Sequence, residues 1–295
     1  MSEFNSDNSD EQDKENLPLL RVRKPRNYGR LVLVSIDPNF YNTTLPEILL
    51  KHFKDSTELS TKESLKSHEV TTGLRTRLIN WLVEVTSSFE CSDNVFFLTV
   101  RLLDTFLKLT SGYTEDNFHL VGITCLFIAS KFDEVSPLQF KVIHENILFK
   151  DYNEEEIRTL EAKILEVLSF RVNIQTCLDT VGCLKNRYDR DNLISGIATL
   201  ILYLVQFYYD ALEYTPRQQA IAAFIMAAYS TRRMNIVREI LTDSELMFPE
   251  IEDLMNKFFV GIDEFEAKFP EYQNPMKFLN FKIIHQEGRP LFEFL

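Results

Sequence analysis

LVGITCLFIASKFDE, residues 120–134, is apolar on every side for ten residues and then becomes charged at Lys131, Asp133 and Glu134. Leu120 through Ala129 leave no polar face, which is how a helix reads when other helices enclose it. A lysine near a helix C-terminus gains from the macrodipole, whereas Asp133 and Glu134 lose from it. Helix stability alone does not select this ending. The fold class follows from the enclosure: a helix without a polar face needs helices around it.

Outward from this stretch, amphipathic helical periods follow one another with short polar breaks, and no alternating strand pattern competes. The spacing predicts helices over 72–89, 93–109, 114–132, 137–148 and 153–168, after a short one in LPEILLKHFK, 45–54. Each break carries capping or turn chemistry: Ser92-Asp93, Thr110-Ser111-Gly112, Ser136-Pro137 and Asp151-Tyr152-Asn153. A second set is predicted at 176–187, 190–208, 215–230, 234–241 and 247–268, with starts at Thr215-Pro216 and Phe248-Pro249. Its central apolar helix, TPRQQAIAAFIMAAY at 215–229, matches 118–132 in the first set. The expected architecture is all-α, two tandem five-helix bundles. The parts are a tail over 1–44, one bundle over 45–174, a second over 175–271, and an extension over 272–295 that packs back on the body.

Composition narrows the function. The 295 residues are 45% hydrophobic, ample for real cores, and no run approaches the 18 or so apolar residues of a membrane span. The first sixteen residues, MSEFNSDNSDEQDKEN, are polar and acidic, so no signal peptide is expected there. Cys91, Cys125, Cys177 and Cys183 form no CxxC pair and read as small hydrophobes in a reducing compartment. A net charge of −12 argues against nucleic acid, whose phosphates need a basic surface. With eight glycines, no GxGxxG or GxxxxGK[ST] cradle can be assembled. The histidines at 52, 68, 119, 144 and 285 show no HExxH and no paired ligand spacing. The expectation is a protein-binding chain with no catalytic residues, metal or cofactor.

Five stretches resemble the cyclin family in order and spacing. LRTRLINWLVEV at 74–85 resembles its first helix, FHLVGITCLFIASKFDE at 118–134 its third, and LEAKILEVLSF at 160–170 its fifth. LYLVQFYYDALEYTPRQQAIAAF at 202–224 resembles the second cyclin fold, and LPEILLKHFK the short helix before the box in A- and B-type (G2/mitotic) cyclins. The resemblance implies two tandem cyclin folds and a regulatory subunit of a cyclin-dependent Ser/Thr kinase, not an enzyme. It implies that Lys131 and Glu161 hydrogen-bond the kinase backbone, with Leu120, Phe132, Asp133, Glu134, Leu165 and Phe170 around them. Read without the resemblance, Lys131 is a helix-end lysine extended to water.

The resemblance also implies a shallow groove for Arg-x-Leu segments of substrates or inhibitors, formed by Leu74, Leu78, Trp81, Glu84 and His119. Arg77 stands where an isoleucine is usual and His119 where a glutamine is usual. Leu78 and Trp81 read equally well as core.

In the tail, Lys14-Glu15-Asn16 is similar to the KEN degron of proteins destroyed through the anaphase-promoting complex. Arg30 and Leu33 have destruction-box spacing, although Asn39 follows one residue late. RVRKPR at 21–26 reads as a nuclear-localisation patch or as a solvated basic run. The expected location is nucleus and cytoplasm. A kinase-independent cyclin-fold scaffold and a cyclin-fold transcription factor are the competing functions.

Overall fold

The computed structural model describes residues 61–141, 152–243 and 252–258, and among them the chain is helical with no strand. The predicted helix at 45–54, the tail motifs, most of 137–148 and the extension over 272–295 lie outside the described residues. In chain order the helices are α1 (Thr72–Ser88), α2 (Asp93–Leu109), α3 (Glu115–Asp133), α4 (Glu154–Val167), α5 (Cys177–Tyr188) and α6 (Leu193–Phe207). A 3-10 turn over Tyr209–Glu213, α7 (Pro216–Ser230), α8 (Met234–Asp243) and a helical segment over 252–258 follow.

The starts are set by local chemistry. Thr71 Oγ1 accepts from Leu74 N–H at 3.2 Å to begin α1. Asn153 and Glu156 bond each other's backbone N–H at 2.8 and 2.9 Å to begin α4, a reciprocal capping box. Thr215 and Gln218 do the same for α7, with Pro216 at the first helical position.

Two helices are enclosed as the sequence predicts. α3 packs against α1, α2 and α4, and α7 packs against α5, α6 and α8. Val121, Ile123 and Leu126 of α3 and Ala223, Phe224 and Ala227 of α7 are sealed from solvent. Gly122 lets Leu78 of α1 lie directly on α3: a Cβ there would stand 2.7 Å from Leu78 Cδ1, so the leucine side chain would have to shift.

One polar group ties these layers together. Arg75 on α1 is 1% exposed; its Nε donates to Asp104 Oδ1 at 2.9 Å and its Nη2 to Asp104 Oδ2 at 2.7 Å. Its Nη1 donates to the carbonyl of Gln206, at the end of α6, at 2.6 Å. All three corners of the guanidinium are therefore satisfied, which is what a buried charge demands. α1, α2 and α6 meet at this one residue. The 3-10 turn that follows was not predicted: YDALE falls in the gap between the helices predicted to end at 208 and to start at 215.

Candidate functional site

The charged ending of α3 resolves into two separate arrangements. Lys131 turns toward α4 and pairs with the Glu161 carboxylate, its Nζ also lying 4.2 Å from the Phe127 ring centroid. The lysine side chain is 38% exposed and the glutamate 16%. Asp133 and Glu134 turn the other way, toward α2. Asp133 Oδ2 accepts from Ser92 Oγ at 2.6 Å, and Glu134 Oε1 accepts from Ser92 N–H at 2.7 Å. Ser92 is the N-cap of α2. The two acids lose against the dipole of their own helix but gain at the positive end of the next. The sequence puzzle therefore has an intramolecular answer for Asp133 and Glu134, and they serve α2 whatever else binds there.

Large apolar side chains are exposed on and just beyond α3 and α4. Phe132 is 54% exposed, Val135 91% and Phe170 74%, while Leu120 and Leu165 are half-buried. α3 and α4 pack against each other; Phe132 lies on the last turn of α3 and Phe170 just past the end of α4, whereas Leu120 lies near the start of α3. The Lys131–Glu161 pair joins α3 to α4, and Phe132 and Phe170 are exposed on the same two elements.

The predicted groove residues divide. Leu78 is 4% exposed and pressed on Gly122, so it belongs to the core. Leu74 and Trp81 are half-buried and line up with Arg77 at helical spacing on α1. The Trp81 and His119 rings meet edge to face with centroids 4.5 Å apart. Glu84 is exposed and its Oε1 accepts from Asn80 Nδ2 at 3.0 Å. Arg77 is exposed.

Sequence reading missed Arg75 and Asp104, and it named Ser92 at a helix start without its partners Asp133 and Glu134. Arg75 carried a signal, since it falls on the apolar stripe of α1 with Leu78, Ile79 and Leu82. The degron residues Lys14, Glu15, Asn16, Arg30 and Leu33 lie outside the described residues. A cavity of about 740 Å³ opens between α1, α5 and α6, lined by Val83, Leu178, Gly182, Gly196 and Tyr203, and holds none of the predicted site residues. Among the described residues no three His, Cys, Asp or Glu side chains cluster to hold a metal, and no helix is long and apolar enough to cross a membrane.

Residues 48–173 match the family described as cyclin, N-terminal domain. Over that stretch the chain resembles a cyclin N-terminal domain, and the curated relatives that it matches include B-type cyclins. It is 31% identical over 170 residues to cyclin-B2-4 of Arabidopsis thaliana, covering 56% of this chain and 38% of that one. It is 30% identical over 162 residues to G2/mitotic-specific cyclin-B1 of Xenopus laevis, covering 54% of this chain and 40% of that one. It thus spans about two fifths of the length of these relatives. The fold resembles that of a viral cyclin from herpesvirus saimiri, with a TM-score of 0.63 at 20% identity, over 74% of this chain and 96% of the viral one. That likeness extends the cyclin fold to the second helical set.

Proposed function

We propose that the chain is the regulatory subunit of a cyclin-dependent Ser/Thr kinase acting in cell-cycle (G2/M) control. The observation that carries this reading is the α3–α4 face: a Lys131–Glu161 pair that bridges the two helices, with Phe132 exposed on the last turn of α3 and Phe170 exposed just past the end of α4. Apolar side chains at such exposure are stabilised by covering, and a charge pair among them supplies directional hydrogen bonds to the partner.

The action is allosteric. The chain binds the kinase state in which its lysine–glutamate ion pair and magnesium-binding aspartate are assembled, and selects that state by differential affinity. Moving a kinase from about 1:99 to about 99:1 takes a preference of roughly 5.5 kcal/mol. An interface above about 2,000 Å² is of the class that supplies it. Leu74, Trp81, Glu84 and His119 form the docking surface for Arg-x-Leu segments of substrates or inhibitors. Lys14-Glu15-Asn16, with Arg30 and Leu33, is the signal for removal through the anaphase-promoting complex, and the protein works in nucleus and cytoplasm.

Affinity purification of the full chain from dividing cells, followed by a histone-type kinase assay, tests the reading. Co-purifying Ser/Thr kinase activity that falls with Lys131→Ala is expected; a kinase bound without activity would turn the reading to a scaffold. Arg77 in the docking surface is the observation that favours that second reading. DNA retained in place of a kinase would mark a transcription factor.

A further inference from the structure

α4 ends in a turn whose two central residues both have left-handed backbone: Ser169 at φ 51° and Phe170 at φ 59°. Neither is glycine, the residue that adopts this region without steric cost. The hydrogen bonds are those of a Schellman ending: Phe170 N–H donates to Leu165 O at 2.7 Å and Ser169 N–H to Glu166 O at 2.9 Å. In that motif the first residue beyond the cap is usually glycine, and the next folds its apolar side chain onto the residue five back. Here those two positions are Phe170 and Leu165. The contact is not closed: Phe170 remains 74% exposed and Leu165 half-buried. The turn is closed further on by Arg171 N–H to Leu168 O at 3.0 Å and Val172 N–H to Phe170 O at 3.1 Å, which holds Phe170 in its left-handed state.

From this geometry we infer that Ser169 is a positioning residue: the strained Ser169–Phe170 turn keeps the Phe170 ring displayed to a partner and off Leu165. A glycine at 169 would complete an ordinary helix stop and leave the ring free to cover Leu165. Serine confines the turn, so the ring is already placed when a partner arrives and less ordering accompanies binding. α1 and α7 end in the same hydrogen-bond pattern with Glu90 and Arg232 left-handed, but among the described residues only here is the following residue, an exposed aromatic, left-handed as well. The inference rests on the reading of the α3–α4 face as the kinase-binding surface.

The test compares Ser169→Gly, Ser169→Asn, Phe170→Ala and Lys131→Ala in the full chain, with a purified mitotic cyclin-dependent kinase catalytic subunit as probe. Ser169→Gly should raise the thermal midpoint by about 2 °C, since glycine relieves the left-handed strain, yet weaken kinase affinity by about threefold to tenfold. Stability and affinity moving in opposite directions is what a purely structural turn would not produce. Ser169→Asn, which tolerates left-handed backbone, should keep the parent affinity. If Ser169→Gly binds as the parent does while Phe170→Ala loses affinity, the ring matters but serine does not position it, and the inference is overturned. It is overturned equally if Ser169→Asn loses affinity as Ser169→Gly does. If Lys131→Ala also binds as the parent does, it is the kinase-face reading itself that fails.

Discussion

Lys131 and Glu161 lie thirty residues apart, one on the last turn of α3 and one in the middle of α4, and form an ion pair with each other. The pair closes the gap between two packed helices at the edge of the core, with the Phe127 ring beneath the ammonium. An exposed pair of this kind contributes about 0–1 kcal/mol to stability. In the free chain the two groups satisfy each other; in a complex both would turn part of their hydrogen bonding to the partner.

Lys131→Ala and Glu161→Ala are therefore expected to weaken kinase association well over tenfold, the typical loss on truncating a buried charge partner in an interface being about 2–5 kcal/mol. The thermal midpoint of the free chain should move by no more than about 4 °C, from a pair worth about 1 kcal/mol at most. The double variant should lose less than the sum of the single losses, because the two groups share one network. Isothermal titration and thermal melts decide it. Binding unaffected by either change would move the partner face elsewhere, and unfolding by either would make the pair structural.

Arg75 and Asp104 should behave in the opposite way. Their side chains are 1% and 2% exposed, and the guanidinium also holds the Gln206 carbonyl. Removing one member of such a buried pair strands the other charge, at about 3–5 kcal/mol. Arg75→Ala or Asp104→Ala should lower the melting midpoint by about 10 °C or more. A melt within about 2 °C of the parent would show that the pair is dispensable to the packing of α1, α2 and α6.

These two pairs show what the sequence does and does not carry. Helix limits were legible to within a few residues because each depends on chemistry close in the chain, as with Thr71, Ser92, Asn153 and Thr215. The enclosure of α3 and α7 was legible from their missing polar faces. Asp133 and Glu134 were not legible as caps, because Ser92 is some forty residues away and only packing brings it to them. The resemblance named Lys131 and Glu161 together, but nothing in their spacing shows that they pair in the free chain. The left-handed turn at Ser169 was illegible for another reason: a serine carries no mark of the backbone it adopts.

Cys91 offers a check on the Ser92 region by pH. Burial, and after it the nearby Glu134 carboxylate, push its thiol up to about 11. At pH 8 an ordinary thiol is about a quarter thiolate, whereas Cys91 would be about a thousandth. Iodoacetamide should label it more than about 100-fold more slowly than free cysteine at pH 8, with the rate rising about tenfold per pH unit until the pH reaches the raised value. Glu134→Gln keeps an oxygen for Ser92 N–H while removing the charge, so labelling should accelerate. Mass spectrometry of the Cys91 peptide reads this directly, and equal rates in parent and variant would place Glu134 away from the thiol.

The tail is expected to set lifetime and leave activation alone. Lys14-Glu15-Asn16 sits in a stretch with one lysine against six acids up to Glu15 and no apolar periodicity. Deleting residues 1–40 should preserve kinase activation and prolong the half-life at mitotic exit, followed by immunoblot after release from arrest. Disappearance of the shortened chain on the normal schedule would rule out the degron.

Arg77 gives the sharpest test of the docking surface. It follows Leu74 by three residues and precedes Trp81 by four, so its guanidinium stands among the apolar residues of that face. The acid on this stretch of α1 is Glu84, whose carboxylate already accepts the Asn80 amide. A basic Arg-x-Leu segment would thus meet a repelling cation and an acid that is partly engaged. Arg77→Ile removes the cation from an exposed position, where fold stability should change by less than about 0.5 kcal/mol. Peptide affinity should rise about threefold to tenfold at low salt, and the gain should shrink toward physiological ionic strength, where charges farther apart than about 8 Å are screened. Kinase affinity should not change, because Lys131, Phe132 and Phe170 lie at the other end of α3 and beyond α4. Fluorescence polarisation of an Arg-x-Leu peptide at two salt concentrations measures both effects. A peptide affinity equal to the parent's at both would place Arg-x-Leu recognition off this face.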